Sequence, residues 1–151
     1  PFQGGKIAYI LQKGDPGYTV GIPHGLIAAA SDQSEGIAWG CEGVSILTSE
    51  GIGTGAANTA AILLGCIQRP IAASVCDDYV VGVYTDWYLP SIDELNKLFI
   101  NRAAIGGFSS ADYWSSSEYT NTLALFQWFF NGELGGGVKS DAAHVRAVRA
   151  F

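Results

Sequence analysis

Apolar and polar positions along the chain fall into short runs separated by glycine-rich turns. Lys6 to Leu11, after the Gly4-Gly5 turn, predicts a strand, and Gly14 to Gly17 predicts a turn. Tyr18 to Ile22 predicts a second strand. His24 to Ala30 is short and bounded by Pro23 and Ser31-Asp32, which favours strand over helix. Residues 31–55 are glycine-rich and read as irregular, with Trp39 and Cys41 as anchors.

Residues 56–67 predict a helix, because alanine and leucine favour it and Ala60, Leu63, Leu64 and Ile67 form an apolar stripe at helical spacing. Arg69-Pro70 ends it, and a shorter helix is expected around Ile71 to Tyr79. The clearest start signal is Pro90-Ser91-Ile92-Asp93-Glu94. Ser91 can cap free backbone N–H groups, and Glu94 three residues on completes a capping box. Ile92, Leu95, Leu98 and Phe99 then face the core, and the helix ends near Arg102 or Ala103.

After Gly106-Gly107 the character changes. Residues 123–130 (LALFQWFF) predict an aromatic-rich strand, with Leu123, Leu125, Gln127 and Phe129 on one face and Ala124, Phe126, Trp128 and Phe130 on the other. Asn131-Gly132 is a turn signal, and Gly135-Gly136-Gly137 reads as a flexible point. His144 to Phe151 alternates as one last strand. These runs predict a single α+β domain over 1–151, with two helices early and centrally and short antiparallel strands.

Composition narrows the function. The 151 residues carry 8 basic and 14 acidic side chains, a net charge of -6. Phosphate recognition wants a concentrated basic surface, and the only basic cluster is Arg146 with Arg149, so no nucleic-acid partner is expected. The charge also offers nothing to anionic lipid, and no apolar run is long enough to cross a bilayer. No signal peptide is expected, and opening on Pro1 without Met reads as a processed or trimmed chain. Cys41, Cys66 and Cys76 allow at most one internal disulfide; spacing selects no pair, and buried free thiols are the expectation. Neither His24 nor His144 lies at a familiar zinc spacing from a cysteine pair, so neither metal nor cofactor is expected.

Catalytic patterns are also missing. No P-loop, dinucleotide fingerprint, HExxH or nucleophile elbow occurs. Gly51 to Gly55 lacks the Lys-Ser/Thr of a phosphate cradle and reads as a structural turn. His24 reads as a loop or edge residue and His144 as an exposed one. Asp77-Asp78 is a weak acid–base pair, and Asp86 satisfies a turn. The chain is not expected to be an enzyme. What stands out is the strand at 123–130: either both of its faces are buried, or one is an aromatic protein-binding patch with few charges.

Asp86-Trp87-Tyr88-Leu89-Pro90-Ser91, Glu94-Leu95-Asn96, Ile105-Gly106-Gly107-Phe108-Ser109, Tyr113-Trp114-Ser115-Ser116-Ser117-Glu118 and Val145 to Arg149 occur in that order. With His24 to Ala29, Gly53-Thr54-Gly55 to Asn58, and Cys76 with Tyr79, they resemble the DUF1566 family, also called the Lcl C-terminal domain family. The resemblance covers nearly the whole chain. It implies a C-type lectin-like fold, in the branch shared with formylglycine-generating-enzyme-like domains, with the N- and C-terminal strands paired with each other. Some members are targets of diversity-generating retroelements, whose C-terminal variable region is rewritten by adenine-specific mutagenesis and displayed as a binding surface.

The resemblance places a variable region at 119–144, with anchors at Ala124, Leu125, Phe126, Gln127, Trp128, Phe129, Asn131, Gly132, Lys139 and Val145-Arg146. Template codons AAC or AAT with randomised adenines cannot yield Glu, Gln, Lys, Met or Trp. Within 119–144 those residues occur only at Gln127, Trp128, Glu133 and Lys139. Gln127 and Lys139 fall on family anchors, whereas Trp128 stands where Asn is common and Leu125 where Trp is common. The expected frame is Tyr113, Trp114, Leu125, Phe129, Val145 and Val148. The expected ligand-binding residues are Tyr119, Thr120, Thr122, Leu123, Phe126, Trp128, Phe130, Leu134, Gly136, Val138, Ser140, Asp141, Ala143 and His144. The resemblance thus implies a retroelement-diversified domain that binds an as yet unnamed protein, on a cell or virion surface, within a larger surface or phage-tail protein. A fixed adhesion or lectin module, a purely structural domain, and an enzyme related to formylglycine generation are the competing readings.

Overall fold

The glycine-bounded runs become eight strands and four helices in the computed structural model, which describes residues 2–151. A three-stranded antiparallel sheet holds β1 (Lys6–Ile10), β2 (Gly25–Ala28) and β8 (Val148–Ala150), in the order β1-β2-β8. A five-stranded sheet is ordered β3-β7-β4-β5-β6, from β3 (Ser34–Ala38), β4 (Asp112–Glu118), β5 (Leu123–Trp128), β6 (Leu134–Val138) and β7 (Ala142–Val145). Its pairings are antiparallel except for β4 with β7, which meet in parallel at Tyr113 and His144. The helices α1 (Gly55–Gly65), α2 (Ala72–Asp77), α3 (Ile92–Ile100) and α4 (Arg102–Ile105) lie between β3 and β4 in the chain.

The start of α3 follows the local code. Ser91 Oγ accepts from the Glu94 N–H at 3.3 Å, and Glu94 Oε2 accepts from the Ser91 N–H at 2.8 Å, closing the capping box. Ile92, Leu95 and Leu98 are buried and Phe99 is half-buried. The Gly51–Gly55 turn wraps the same carboxylate, with the Gly53 N–H donating to Glu94 Oε1 at 2.9 Å. Burial raises the Glu94 pKa, opposed by the backbone N–H groups of Ser91, Gly53 and Gly55. The glycine turn is structural, as expected, and the carboxyl group it holds is a side chain of this chain.

Tertiary packing overrides several expectations. The α1 stripe is reversed: Leu64 and Ile67 are 88% and 95% exposed, while Asn58, Thr59, Ile62 and Cys66 are buried. Asn58 exchanges hydrogen bonds with the Ser49 backbone, and Thr59 Oγ1 accepts from the Leu89 N–H while donating to the Gly55 carbonyl. Loop backbone that would otherwise lack partners draws the polar face inward. Tyr18–Ile22 holds only an isolated bridge, Thr19 to Ile22, because Gly21 turns the chain back at φ 78°. Residues 31–55 include a strand, β3, with Trp39 fully buried and its Nε1 donating to the Ser115 carbonyl at 2.8 Å.

The tail from His144 to Phe151 is two strands in two different sheets, broken at Arg146-Ala147. The outer strands β1 and β8 flank β2 and do not pair with each other; the chain ends meet through the Phe2 and Phe151 rings, 5.3 Å apart. Cys41 and Cys66 form a disulfide, while Cys76 stays a buried thiol whose pKa is raised by burial. The Gly135-Gly136-Gly137 run is ordered strand. A Cβ at Gly135 would lie 2.8 Å from the Phe126 ring, and one at Gly137 would lie 2.8 Å from the Trp114 ring. Glycine there admits two aromatic rings against backbone.

Candidate functional site

Residues 119–144 run from the end of β4, through β5 and β6, into β7. A buried ion pair ties the two ends of the 119–138 stretch. Lys139 Nζ donates to Glu118 Oε2 at 3.0 Å and to the Val44 carbonyl at 2.8 Å, and sits 4.5 Å from the Trp39 ring centroid. Glu118 Oε2 also accepts from the Ile46 N–H at 2.6 Å, so the clamp holds the 44–46 loop as well. Lys139 is wholly buried.

A second buried hub brackets the far end. Asp32 accepts from Arg146 Nε at 2.6 Å and from the Tyr113 hydroxyl at 2.7 Å, and His144 Nδ1 lies 3.0 Å from its Oδ2. Arg146 also donates to the carbonyls of Ala29, Gly106 and Gly107 and stacks over Phe108. Burial and the hydrogen bond to Asp32 raise the Tyr113 pKa. Arg146 therefore ties two loops, 29–32 and 106–108, from the interior, where water cannot compete for its donors. Arg149 makes a two-point pair with Asp86, and that guanidinium lowers the Asp86 pKa. Asp86 thus serves Arg149 rather than a local turn, and both arginines of the basic cluster are neutralised.

Between these brackets, Tyr119, Thr120, Thr122, Phe130, Leu134, Gly136, Ser140 and Asp141 are exposed. Leu123, Trp128, Val138 and His144 are half-buried. Phe130 and Leu134 expose 62% and 54% of their surface, a high fraction for large apolar groups. Two expected display residues are corrected. Phe126 is only 9% exposed, its ring edge-on to Trp114 and to Trp128 at 6.0 and 5.1 Å. Ala143 is buried in register with Ile37 of β3. His144 is likewise not a free surface residue, because its ring packs 5.1 Å from Tyr113 and meets Asp32. Of the expected frame, Tyr113, Trp114, Phe129, Val145 and Val148 are buried and Leu125 is half-buried.

β5 therefore lies between the two alternatives that its alternation allows. Neither face is a continuous aromatic surface, and the open aromatics are Phe130, past its end, and part of Trp128. A groove of about 270 Å³ is walled by Asp112, Phe126, Gly136, Val138 and Asp141. Desolvation raises the Asp112 pKa, with His144 opposing. Sequence reasoning missed Asp112 and the Asp32 hub, although charges are so sparse that each acid near an aromatic run is itself a signal.

Among the described residues no cluster of three or more His, Cys, Asp or Glu could hold a metal ion. No described helix is long and apolar enough to cross a membrane. His24 sits near the chain end, its Nδ1 3.2 Å from the Phe151 carbonyl, at an apolar cavity of about 300 Å³ lined by Leu11, Leu26, Ile52 and Tyr88. Asp77 and Asp78 close α2, far in sequence from any histidine.

Comparison with curated proteins finds no match. Among solved structures, a fimbrial protein from Bacteroides ovatus superposes with a TM-score of 0.58 at 19% identity. The alignment covers 85% of this chain and 36% of the fimbrial protein, so the chain spans about a third of that relative's length. At that identity the likeness concerns the fold, a mixed α+β arrangement that is mostly sheet with few helices. The profile of the Lcl C-terminal domain matches residues 28–149, which takes in the capping box, both buried ion-pair brackets and the whole of the 119–144 segment. The chain belongs to the Lcl C-terminal domain family.

Proposed function

We propose that this domain is a binding module that displays residues 119–144 to a protein ligand and makes or breaks no covalent bond. The observation that carries the proposal is the arrangement of the segment. Its exposed side chains stand between two buried ion-pair brackets, Glu118 with Lys139 and Asp32 with Arg146. A frame held from inside tolerates substitution outside, because exposed positions contribute little to stability. Phe130, Leu134 and Tyr119 are the open anchors, with Thr120, Thr122, Ser140 and Asp141 supplying polar matching. In this reading the scaffold is C-type lectin-like, and the segment is rewritten by a retroelement acting on template adenines.

A surface location, in a longer surface or phage-tail protein, accords with the fimbrial protein as a structural neighbour. That neighbour also favours a second reading, a fixed adhesion or structural module with the same display face. Deep sequencing of the DNA encoding residues 119–144 from the source population separates them. Substitutions confined to adenine-bearing template positions, with Trp114, Lys139 and Arg146 constant, are the expected result. A uniform segment with ordinary silent changes would sink diversification and leave the fixed module.

A further inference from the structure

The free edge of β6 has no blunting device. Each of the other sheet edges does. Asn101 Nδ2 donates to the Ala8 carbonyl on β1, and β1 carries a register break. Val148 of β8 exchanges backbone hydrogen bonds with Tyr88. β3 carries Glu35 and a register break. By contrast β6 (LGGGV) pairs with β5 in unbroken register and contains no charge, no proline and no bulge. Proteins normally protect such an edge.

The hydrogen-bond parity shows which groups are open. The Trp128 N–H donates to the Glu133 carbonyl and the Lys139 N–H to the Thr122 carbonyl. Odd-numbered residues of β6 therefore face β5, and Leu134, Gly136 and Val138 turn their backbone groups outward. The Val138 carbonyl takes the Asp141 N–H. Among the described residues nothing bonds the N–H or C=O of Leu134 or Gly136.

The exposed charges that flank β6 in the chain, Glu133 and Asp141, have one sign. Asp112, Glu133 and Asp141 are exposed and join no ion pair among the described residues, and the one nearby lysine, Lys139, is buried on Glu118. Asp112 and Asp141 both wall the 270 Å³ groove, which Gly136 and Val138 join to the edge. An added strand would lie about 4.8 Å beyond β6. The Phe126 and Trp114 rings occupy the space over Gly135 and Gly137, so a long side chain from that strand has its way into the groove at the Val138 and Asp141 end.

We propose that β6 pairs, edge to edge, with an extended, basic segment of a protein ligand, one of whose Lys or Arg side chains reaches Asp141 at the mouth of the groove. This inference rests on the display reading above and names the chemistry of its partner. Main-chain pairing would supply affinity that does not depend on the neighbouring display residues, while the groove and the open aromatics select side chains.

The test is fluorescence anisotropy on the whole chain with a labelled twelve-residue peptide alternating Lys with Val and Thr. Its controls are a Glu-for-Lys counterpart and a version with every backbone amide N-methylated. Saturable binding of the Lys peptide, weakened at least tenfold in both controls, is the expected result. Gly136→Pro removes one outward N–H without touching the β5 ladder, and should weaken binding as much while the melting temperature holds. Glu133→Gln with Asp141→Asn should lower the affinity and flatten its salt dependence. Absence of binding by the Lys peptide, or equal binding of its N-methylated form, would overturn the proposal. The N-methylated control stands even if Gly136→Pro fails to fold. A ligand selected on the 119–144 face that ignores Gly136→Pro would overturn edge pairing and leave the display reading intact. A uniform 119–144 coding sequence together with no ligand on that face would remove both.

Discussion

Lys139→Met tests whether the display segment is held from inside. The ammonium loses its bonds to Glu118 and Val44 and its place over Trp39. Glu118, whose side chain is 9% exposed, keeps the Ile46 N–H and the Ser45 hydroxyl but no counter-charge. Removing one partner of a buried pair costs about 3–5 kcal/mol. The surviving donors to Glu118 place this case near the lower end, about 3 kcal/mol. For a chain of this length that lowers Tm by roughly 6–12 °C. Glu118→Gln keeps an acceptor for Ile46 while leaving Lys139 without its carboxylate, and should cost a similar amount. The double variant should cost less than the sum of the singles, by about 0.5–3 kcal/mol, because the two act on one contact. Circular-dichroism melts and urea titrations at pH 7, without reductant, measure all three. A single-variant loss below about 1 kcal/mol, or singles that simply add, would refute the buried-clamp reasoning.

Phe126→Ala should cost about 3–5 kcal/mol, as a core aromatic, whereas Phe130→Ser should change stability by less than about 0.5 kcal/mol; equal losses in a urea titration would mean that the display boundary is misplaced. Replacing Cys41 and Cys66 with Ser should cost about 3.5 kcal/mol from loop closure over a separation of 25 residues, readable as a lower urea midpoint that added reductant no longer shifts. Asp86→Asn should destabilise modestly at neutral pH, by under about 1 kcal/mol, because Asp86 is largely exposed. Since Arg149 holds the Asp86 pKa below its unfolded value, that contribution is present above about pH 4 and is lost as pH falls through the folded value. Wild type and variant should therefore converge in acid, and a gap that persists there would count against the ion pair.

The parts of the fold legible in the sequence are those with a short-range code. The capping box at Ser91 and Glu94, the α2 segment and the strand opening at Leu123 each rest on a few adjacent residues, and each appears where expected. The candidate site was legible as a segment, since Tyr119, Thr120, Phe130, Leu134 and Asp141 are exposed. It was less legible residue by residue. Alternation marks which side chains share a face, but it does not say that Phe126 will find Trp114 beneath it and two glycines beside it.

By itself the sequence determined the family, the α+β composition and the elements whose caps and periods are local. Only the tertiary structure decided that Asn58 and Thr59 turn inward while Leu64 and Ile67 face water. It likewise decided that Cys41 joins Cys66, and that one alternating tail divides between two sheets at Arg146. The physical reason is shared. Apolar burial is satisfied by many arrangements, whereas each buried N–H, carbonyl or charge needs a particular partner, and those partners lie far away along the chain. Asp32 meets Arg146 across 114 residues, and no period along the chain encodes that meeting.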